Sequence, residues 1–191
     1  MDKILYIDVE TNGIGSFRPP KQRVVQLGYI IGNKEVSEFI KGVEEVNEKV
    51  PHPYNVEFLQ RNGVDFKGVM LNFLEDLKQC THIVAHNIKF DLGCLVHEMV
   101  TRSNGKNLDD TFKLIFDELN KKILVDTMLE TVNFCKIEGK YGYKWPKLEE
   151  LYQHCFLKDP DVILHDALND CKITRECFEK LSREGVLELS R

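Results

Sequence analysis

Asp8 closes the apolar run Ile4-Leu5-Tyr6-Ile7, and Glu10 follows two residues later. Residues two apart in a strand share a face. Two carboxylates held side by side at the edge of a core repel each other unless a cation or a shared proton intervenes, and a bound divalent metal would satisfy both. Asp170 breaks a second apolar pattern: counted around a helix from Ala167, it falls beside Leu181 and Thr174 and borders the stripe that faces the protein. Asp91 lies four residues after Asn87, just past a strand-like run, where an acid in the first helical turn is favoured by the dipole without any metal. His165 stands five residues before Asp170, and a histidine at a helix start is by itself an ordinary surface residue.

The elements that must position these residues follow from hydrophobic period. Ile4 to Val9 and Val24 to Ile31 are short apolar runs, and Glu35 to Ile40 alternates with period two, so the chain opens as a three-stranded meander. The Pro51-His52-Pro53 stretch reads as loop. Val69, Met70, Phe73, Leu74 and Leu77 recur at helical spacing, His82 to Ala85 is a strand, and Leu92, Leu95, Val96, Met99 and Val100 trace a helix face ended by Ser103-Asn104-Gly105. A further helix carries Leu108, Phe112, Ile115, Phe116 and Leu119, and Ile123 to Val125 is a short strand. After Pro146 at a helix start come Leu148, Leu151, Tyr152 and Cys155, and the last helix carries Ala167, Cys171, Thr174, Phe178 and Leu181. The segment from Thr101 to Lys122 has the look of an insertion that docks on the core. This order predicts an α/β fold with a mixed five-stranded sheet, its first three strands antiparallel, and helices on both faces.

At 191 residues the chain has the size of one domain, spanning 1–191, able to bury roughly 70% of its unfolded surface. With 42% apolar and 30% charged residues it is neither disordered nor low in complexity. No apolar run is long enough for a membrane helix, and the Met-Asp-Lys start lacks the apolar region of a secretory signal, so the expectation is an intracellular protein, cytoplasmic or nuclear. The six cysteines form no CxxC pair and no zinc-like spacing, and several fall on apolar helix faces as reduced core thiols. A net charge of -5 argues against holding polyanions by bulk electrostatics, so any contact with nucleic acid must be local or bridged by metal ions.

An Asp-x-Glu pair alone occurs by chance in many chains. Here Asp8-Val9-Glu10-Thr11-Asn12-Gly13 ends the first strand, His86-Asn87-Ile88-Lys89-Phe90-Asp91 follows a later strand, and His165-Asp166-Ala167-Leu168-Asn169-Asp170 opens the last helix. Taken in that order, the three motifs resemble the DEDDh subgroup of the DnaQ-like 3′ to 5′ exonucleases, which includes proofreading subunits, TREX-type DNases, RNase T and oligoribonuclease. Val125-Asp126-Thr127 and Lys147-Leu148-Glu149-Glu150-Leu151 look like further family features. The resemblance runs from residue 4 to about 182 and implies a ribonuclease H-like fold. The histidine five residues before Asp170, in place of a tyrosine, marks the His subgroup, and Asn12 is a departure that removes no metal ligand.

The resemblance implies a two-metal phosphodiester hydrolase. In that pattern Asp8 bridges both ions, Glu10 and Asp170 complete the site of the attacking water, Asp91 supports the second ion, and His165 takes the water's proton. Hard oxygen ligands suit Mg²⁺ or Mn²⁺. Thr11, Asn12, Gly13 and Asn87 correspond to the segments that contact the 3′-terminal nucleotide. His86 reads as a residue that bonds within its turn, Asp126 as a strand-end acid and Asp166 as a helix-start acid. Two stretches carry local positive charge: Phe17-Arg18-Pro19-Pro20-Lys21-Gln22-Arg23, and Lys136 to Lys147, where four lysines stand against Glu138 among Tyr141, Tyr143 and Trp145. Those aromatics either stack on bases or anchor a loop on the core.

The expected substrate is the 3′ end of single-stranded nucleic acid, DNA ahead of RNA, with nucleoside 5′-monophosphates released. A role in DNA repair or proofreading would call for a polymerase in trans. The alternatives are an exoribonuclease of the RNase T or oligoribonuclease type, and a non-catalytic nucleic-acid-binding module on the same fold. The presence of all four acids and the histidine counts against the second. GxxxxGK[ST], GxGxxG and GxSxG motifs are absent, which leaves nucleotide-binding and serine-hydrolase readings without support.

Overall fold

The structure, a computed structural model, describes residues 3–13, 22–103 and 108–189. Most of the first basic stretch, residues 17–21, and Asn104 and Gly105 of the helix-ending cluster lie outside the described residues. The element order is β1 (Ile4–Thr11), β2 (Val24–Ile31), β3 (Lys34–Phe39), α1 (Val56–Asn62), α2 (Phe66–Leu77), β4 (His82–Ala85), α3 (Ile88–Arg102), α4 (Asp110–Leu119), β5 (Ile123–Asp126), α5 (Thr127–Glu130), α6 (Val132–Cys135), β6 (Glu138–Gly139), β7 (Gly142–Tyr143), α7 (Leu148–Phe156) and α8 (Ala167–Arg183).

The main sheet has the order β3-β2-β1-β4-β5. The first three strands pair antiparallel, whereas β4 runs parallel to both β1 and β5. This is the expected mixed sheet. The parallel pairs require crossovers, which α1 and α2, then α3 and α4, provide. β6 and β7 form a separate two-stranded ribbon.

Alternation along β1 feeds two of the three hydrophobic clusters among the described residues. Leu5, Ile7 and Val9 pack with residues of α2, α3 and α4, among them Phe73, Leu95 and Phe112. Tyr6 joins Leu151 of α7 and Cys171 and Phe178 of α8 on the opposite face. Asp8 and Glu10 continue the Tyr6 alternation, toward the face that α8 covers. All six cysteines are free and buried, as expected of core thiols.

Side-chain caps set the helix starts: Asn55 accepts from Phe58 N, Asp65 from Gly68 N, Asp109 from Thr111 N and Asp166 from Asn169 N. Helix α1 falls outside the expectations because only Leu59 of its seven residues is buried, leaving no repeat to read. Helix α4, within the segment 101–122, docks on the core through Phe112 and Ile115, as expected of that segment. No helix among the described residues is long and apolar enough to cross a membrane.

One glycine decides where α8 lies. A Cβ on Gly28 of β2 would stand 2.4 Å from the Ala167 carbonyl carbon and 2.5 Å from Leu168 N, so backbone meets backbone there. Gly28 is also the register partner of Asp8, and its carbonyl accepts a bond from Cys171 Sγ at 3.3 Å. Gly28→Ala should cost about 3 kcal/mol, the upper end of ordinary overpacking, and lower the melting temperature by about 6–12 °C. Calorimetry checks the loss, and an unchanged melting temperature would show that α8 can move away freely.

Candidate active site

β1 and β4 run parallel, with Tyr6 opposite Val84, so both point their C-terminal ends toward one edge of the sheet, where β1 runs on to Thr11. The N-terminal turns of α3 and α8 converge on the same edge, the usual place for chemistry in a sheet of this kind. A register shift between Glu10 and Thr11 breaks the β1–β2 ladder just where the chain leaves the site, as bulges often do beside reactive groups.

Asp91, in the first turn of α3, is 2% exposed and accepts a bond from Val9 N at 3.1 Å, which fixes α3 to the end of β1. Asp170 is also buried. Its Oδ2 accepts from His165 N at 3.4 Å, and its Oδ1 has no hydrogen-bond partner among the described residues. One ligand atom from each of Glu10, His165 and Asp170 lies within 4.8 Å of the other two. His165 itself is exposed and sits in the left-handed region at φ 65, a conformation uncommon outside glycine and tolerated where function requires it.

The electrostatics are those of acids crowded without a counter-charge. Burial, then Asp91, Asp170 and Glu10, push the Asp8 carboxyl well above the usual range. Burial and the charges of Asp170 and Asp166 raise Glu10 to about 8. Burial lifts Asp91 against the opposing pull of Val9 N–H, and lifts Asp170 to about 7 against that of His165 N–H. Partial burial, which disfavours the charged ring, holds His165 below the usual histidine range and so favours its neutral form.

A cluster of hard carboxylate oxygens, all strained toward protonation and one of them buried without a partner, fits a divalent cation. The linkage has a definite sign. Glu10 and Asp170 keep protons in the folded chain that they lose in the unfolded one, so their contribution to stability is full below about pH 4 and is lost as pH rises through about 7 to 8. In EDTA the melting temperature should therefore fall between about pH 5 and about pH 9, and added Mg²⁺ or Mn²⁺ should raise it far more at the alkaline end. Differential scanning fluorimetry across pH, with and without metal, reads both effects. An equal metal shift at every pH would contradict the assignment.

Supporting residues hold the start of α8 in place. Gln26, fully buried in β2, accepts from Ala167 N at 3.1 Å and donates to Asp166 Oδ2 at 2.8 Å and Ser37 Oγ at 3.0 Å. Tyr54 OH donates to the same Asp166 oxygen at 2.8 Å. Burial raises the Asp166 pKa, but the bonds from Gln26, Tyr54 and the helix N–H groups outweigh it, so this acid is a charged cap. Tyr54 N donates to His52 Nδ1 at 3.3 Å, so the His52 proton is on Nε2, which donates to Thr11 O at 2.8 Å. The loop thus ties the end of β1 to the start of α8.

The residues expected to frame a terminal nucleotide are placed less uniformly. Thr11 Oγ1 donates to Gly13 O at 2.9 Å, so the turn holds itself. Asn12 accepts from Arg23 N at 2.7 Å and donates to Glu45 O at 2.9 Å, spending its amide on backbone. Asn87 is left-handed at φ 78 and donates its N–H to Asp126 Oδ1 at 3.1 Å. Asp126 ends β5 as expected and also caps α5 through Met128 N and Leu129 N. His86 does not bond within its turn: Nε2 donates to Pro146 O at 2.9 Å and Nδ1 faces Thr127 Oγ1 at 3.0 Å, joining three segments. Gln26, His52 and Tyr54 were missed at the level of sequence. Gln26 alone left a signal there, as a polar residue inside an apolar strand.

The chain matches the RNase T family model, described as exonuclease, over residues 5–178. No curated protein is a significant sequence match. Among solved structures, it resembles a moderately thermophilic exonuclease I from Methylocaldum szegediense, with 17% identity and a TM-score of 0.62 over 96% of this chain and 41% of that one. It also resembles E. coli exonuclease I in complex with a dT13 oligonucleotide, with 15% identity and a TM-score of 0.64 over 96% of this chain and 41% of that one. The likeness shows the fold, a ribonuclease H-like sheet. The chain spans about two fifths of the length of these neighbours.

Proposed function

The chain belongs to the exonuclease family whose model it matches, and we propose that residues 1–191 act as one metal-dependent catalytic domain that removes nucleotides from the 3′ ends of single strands. The observation that carries this reading is the convergence of Asp8, Glu10, Asp91 and Asp170, from one strand end and two helix starts, with every carboxyl pushed toward protonation.

Asp8, Glu10 and Asp170 would hold divalent cations, with Asp91 supporting them from α3. Two such ions, when bound, supply a more acidic water and neutralise charge on the phosphoryl group. The chain's own residues do the rest. Neutral His165 accepts a proton from the attacking water at a ring nitrogen, and the left-handed backbone places that ring beside Glu10 and Asp170. The Thr11 to Gly13 turn, braced by His52, frames the terminal nucleotide together with Asn87, and contacts confined to a strand's terminus would favour exonucleolytic over internal cleavage. The products are nucleoside 5′-monophosphates. DNA is the proposed substrate, supported by the neighbouring E. coli enzyme having been solved with an oligodeoxynucleotide.

Matched single-stranded DNA and RNA labelled at the 5′ end, incubated with Mg²⁺, Mn²⁺ or EDTA, test the reading. A metal-dependent ladder shortening from the 3′ end of DNA is expected. A ladder on RNA alone would move the assignment to an exoribonuclease, and intact strands throughout would favour a binding module.

A further inference from the structure

The β6–β7 ribbon exposes aromatic surface that nothing in the fold requires. Trp145 is 65% exposed, Tyr141 90% and Tyr143 46%. These rings do not anchor the segment: Pro146 is buried, Phe134 and Ile137 pack on the second core, Lys144 N donates to Ile137 O at 2.9 Å, and Lys144 pairs with Glu150. Tyr143 and Trp145 stand two residues apart, the spacing at which extended chain presents side chains on one face, and Tyr141 lies in the turn between the strands. Three large exposed rings within five residues are unusual on a surface that meets only water.

Charge and position say what would cover them. Lys136, Lys140 and Lys147 are exposed around the ribbon, with Glu138 the acid among them, on a chain whose net charge is -5. The segment is also joined to the catalytic edge. Pro146 O accepts from His86 Nε2 next to Asn87, and Lys147 and Glu149 lie close enough to His165 to bear on its charge. A strand whose 3′ end sits between Thr11 and Asn87 therefore has a basic, aromatic surface beside it.

We propose that the β6–β7 ribbon is a stacking platform for a single-stranded nucleic acid, holding bases upstream of the 3′ end through Trp145, Tyr143 and Tyr141 while the lysines meet phosphates. The proposal rests on the nuclease reading above and adds the part of the substrate that is not cut. Stacking is tolerant of base identity but requires unpaired bases, so the ribbon selects single strands over duplex without selecting sequence.

Trp145 is the chain's single tryptophan, so its emission reports on the ribbon alone. Titrating the protein in EDTA with a short single-stranded oligodeoxynucleotide should quench that emission to saturation, while a blunt duplex of the same length should not. Trp145→Ala should weaken binding of a labelled strand about tenfold by fluorescence anisotropy, and Trp145→Phe should restore most of it. Unchanged emission together with an unchanged affinity of Trp145→Ala, in a protein that still shortens the strand, would overturn the platform and leave the nuclease reading intact. A protein that neither binds nor shortens any strand would overturn both.

Discussion

Asp8→Asn should reduce hydrolysis by at least about 10³-fold and, in EDTA, raise the melting temperature. In the proposed site Asp8 is the central ligand, and its loss would remove several kcal/mol of transition-state stabilisation, each ~1.4 kcal/mol being tenfold in rate. The rise in stability has the same origin. Asp8 is hemmed by Asp91, Asp170 and Glu10, so an amide of the same shape removes a charge that the fold must otherwise suppress. A gain of about 1 kcal/mol would appear as about 2–4 °C in a chain of this size. Rate assays with saturating metal and melts without it measure the two effects separately. A variant that lost activity and stability together would show Asp8 to be a structural residue.

The second large effect is expected at His165. Removing a general base typically costs about 10²–10⁴ in turnover, and strand binding should be retained because the ring is exposed. The substitution has to respect the backbone. At φ 65 alanine would be strained, whereas asparagine adopts the left-handed region readily, so His165→Asn separates the loss of the ring from a distortion of the turn. Turnover measured beside strand affinity decides the matter, and an active His165→Asn would transfer the proton to another acceptor.

Much of this was legible in the sequence because the informative residues violate local patterns. Asp8 ends an apolar run, Asp170 borders a buried helix stripe, and both prove to be acids that the fold crowds together. The long elements were legible for the complementary reason: β2 is buried along its whole length as one apolar run, and α8 buries residues at helical spacing. What escaped was short or long-range. α1 buries one residue, and α5 and α6 are four residues each, too few for a period to show. The bond from Ala167 N to Gln26 and that between His52 and Thr11 O join residues far apart in sequence, and no local pattern encodes them. Trp145 illustrates a choice that pattern could not make, since an aromatic among lysines suits a core anchor and an exposed stack equally, and only its exposure separates the two.

The contact between Gly28 and Ala167 also bears on when the site comes into being. Asp8 lies on the first strand of the sheet and Asp170 on the last helix, and the carboxylates meet only once that helix has seated against β2. Such distant pairings form late, after the entropy of closing the intervening chain has been overcome. On the proposed function, hydrolytic power would thus be withheld until that helix has seated, and the chain would gain the ability to cut nucleic acid only in its finished state.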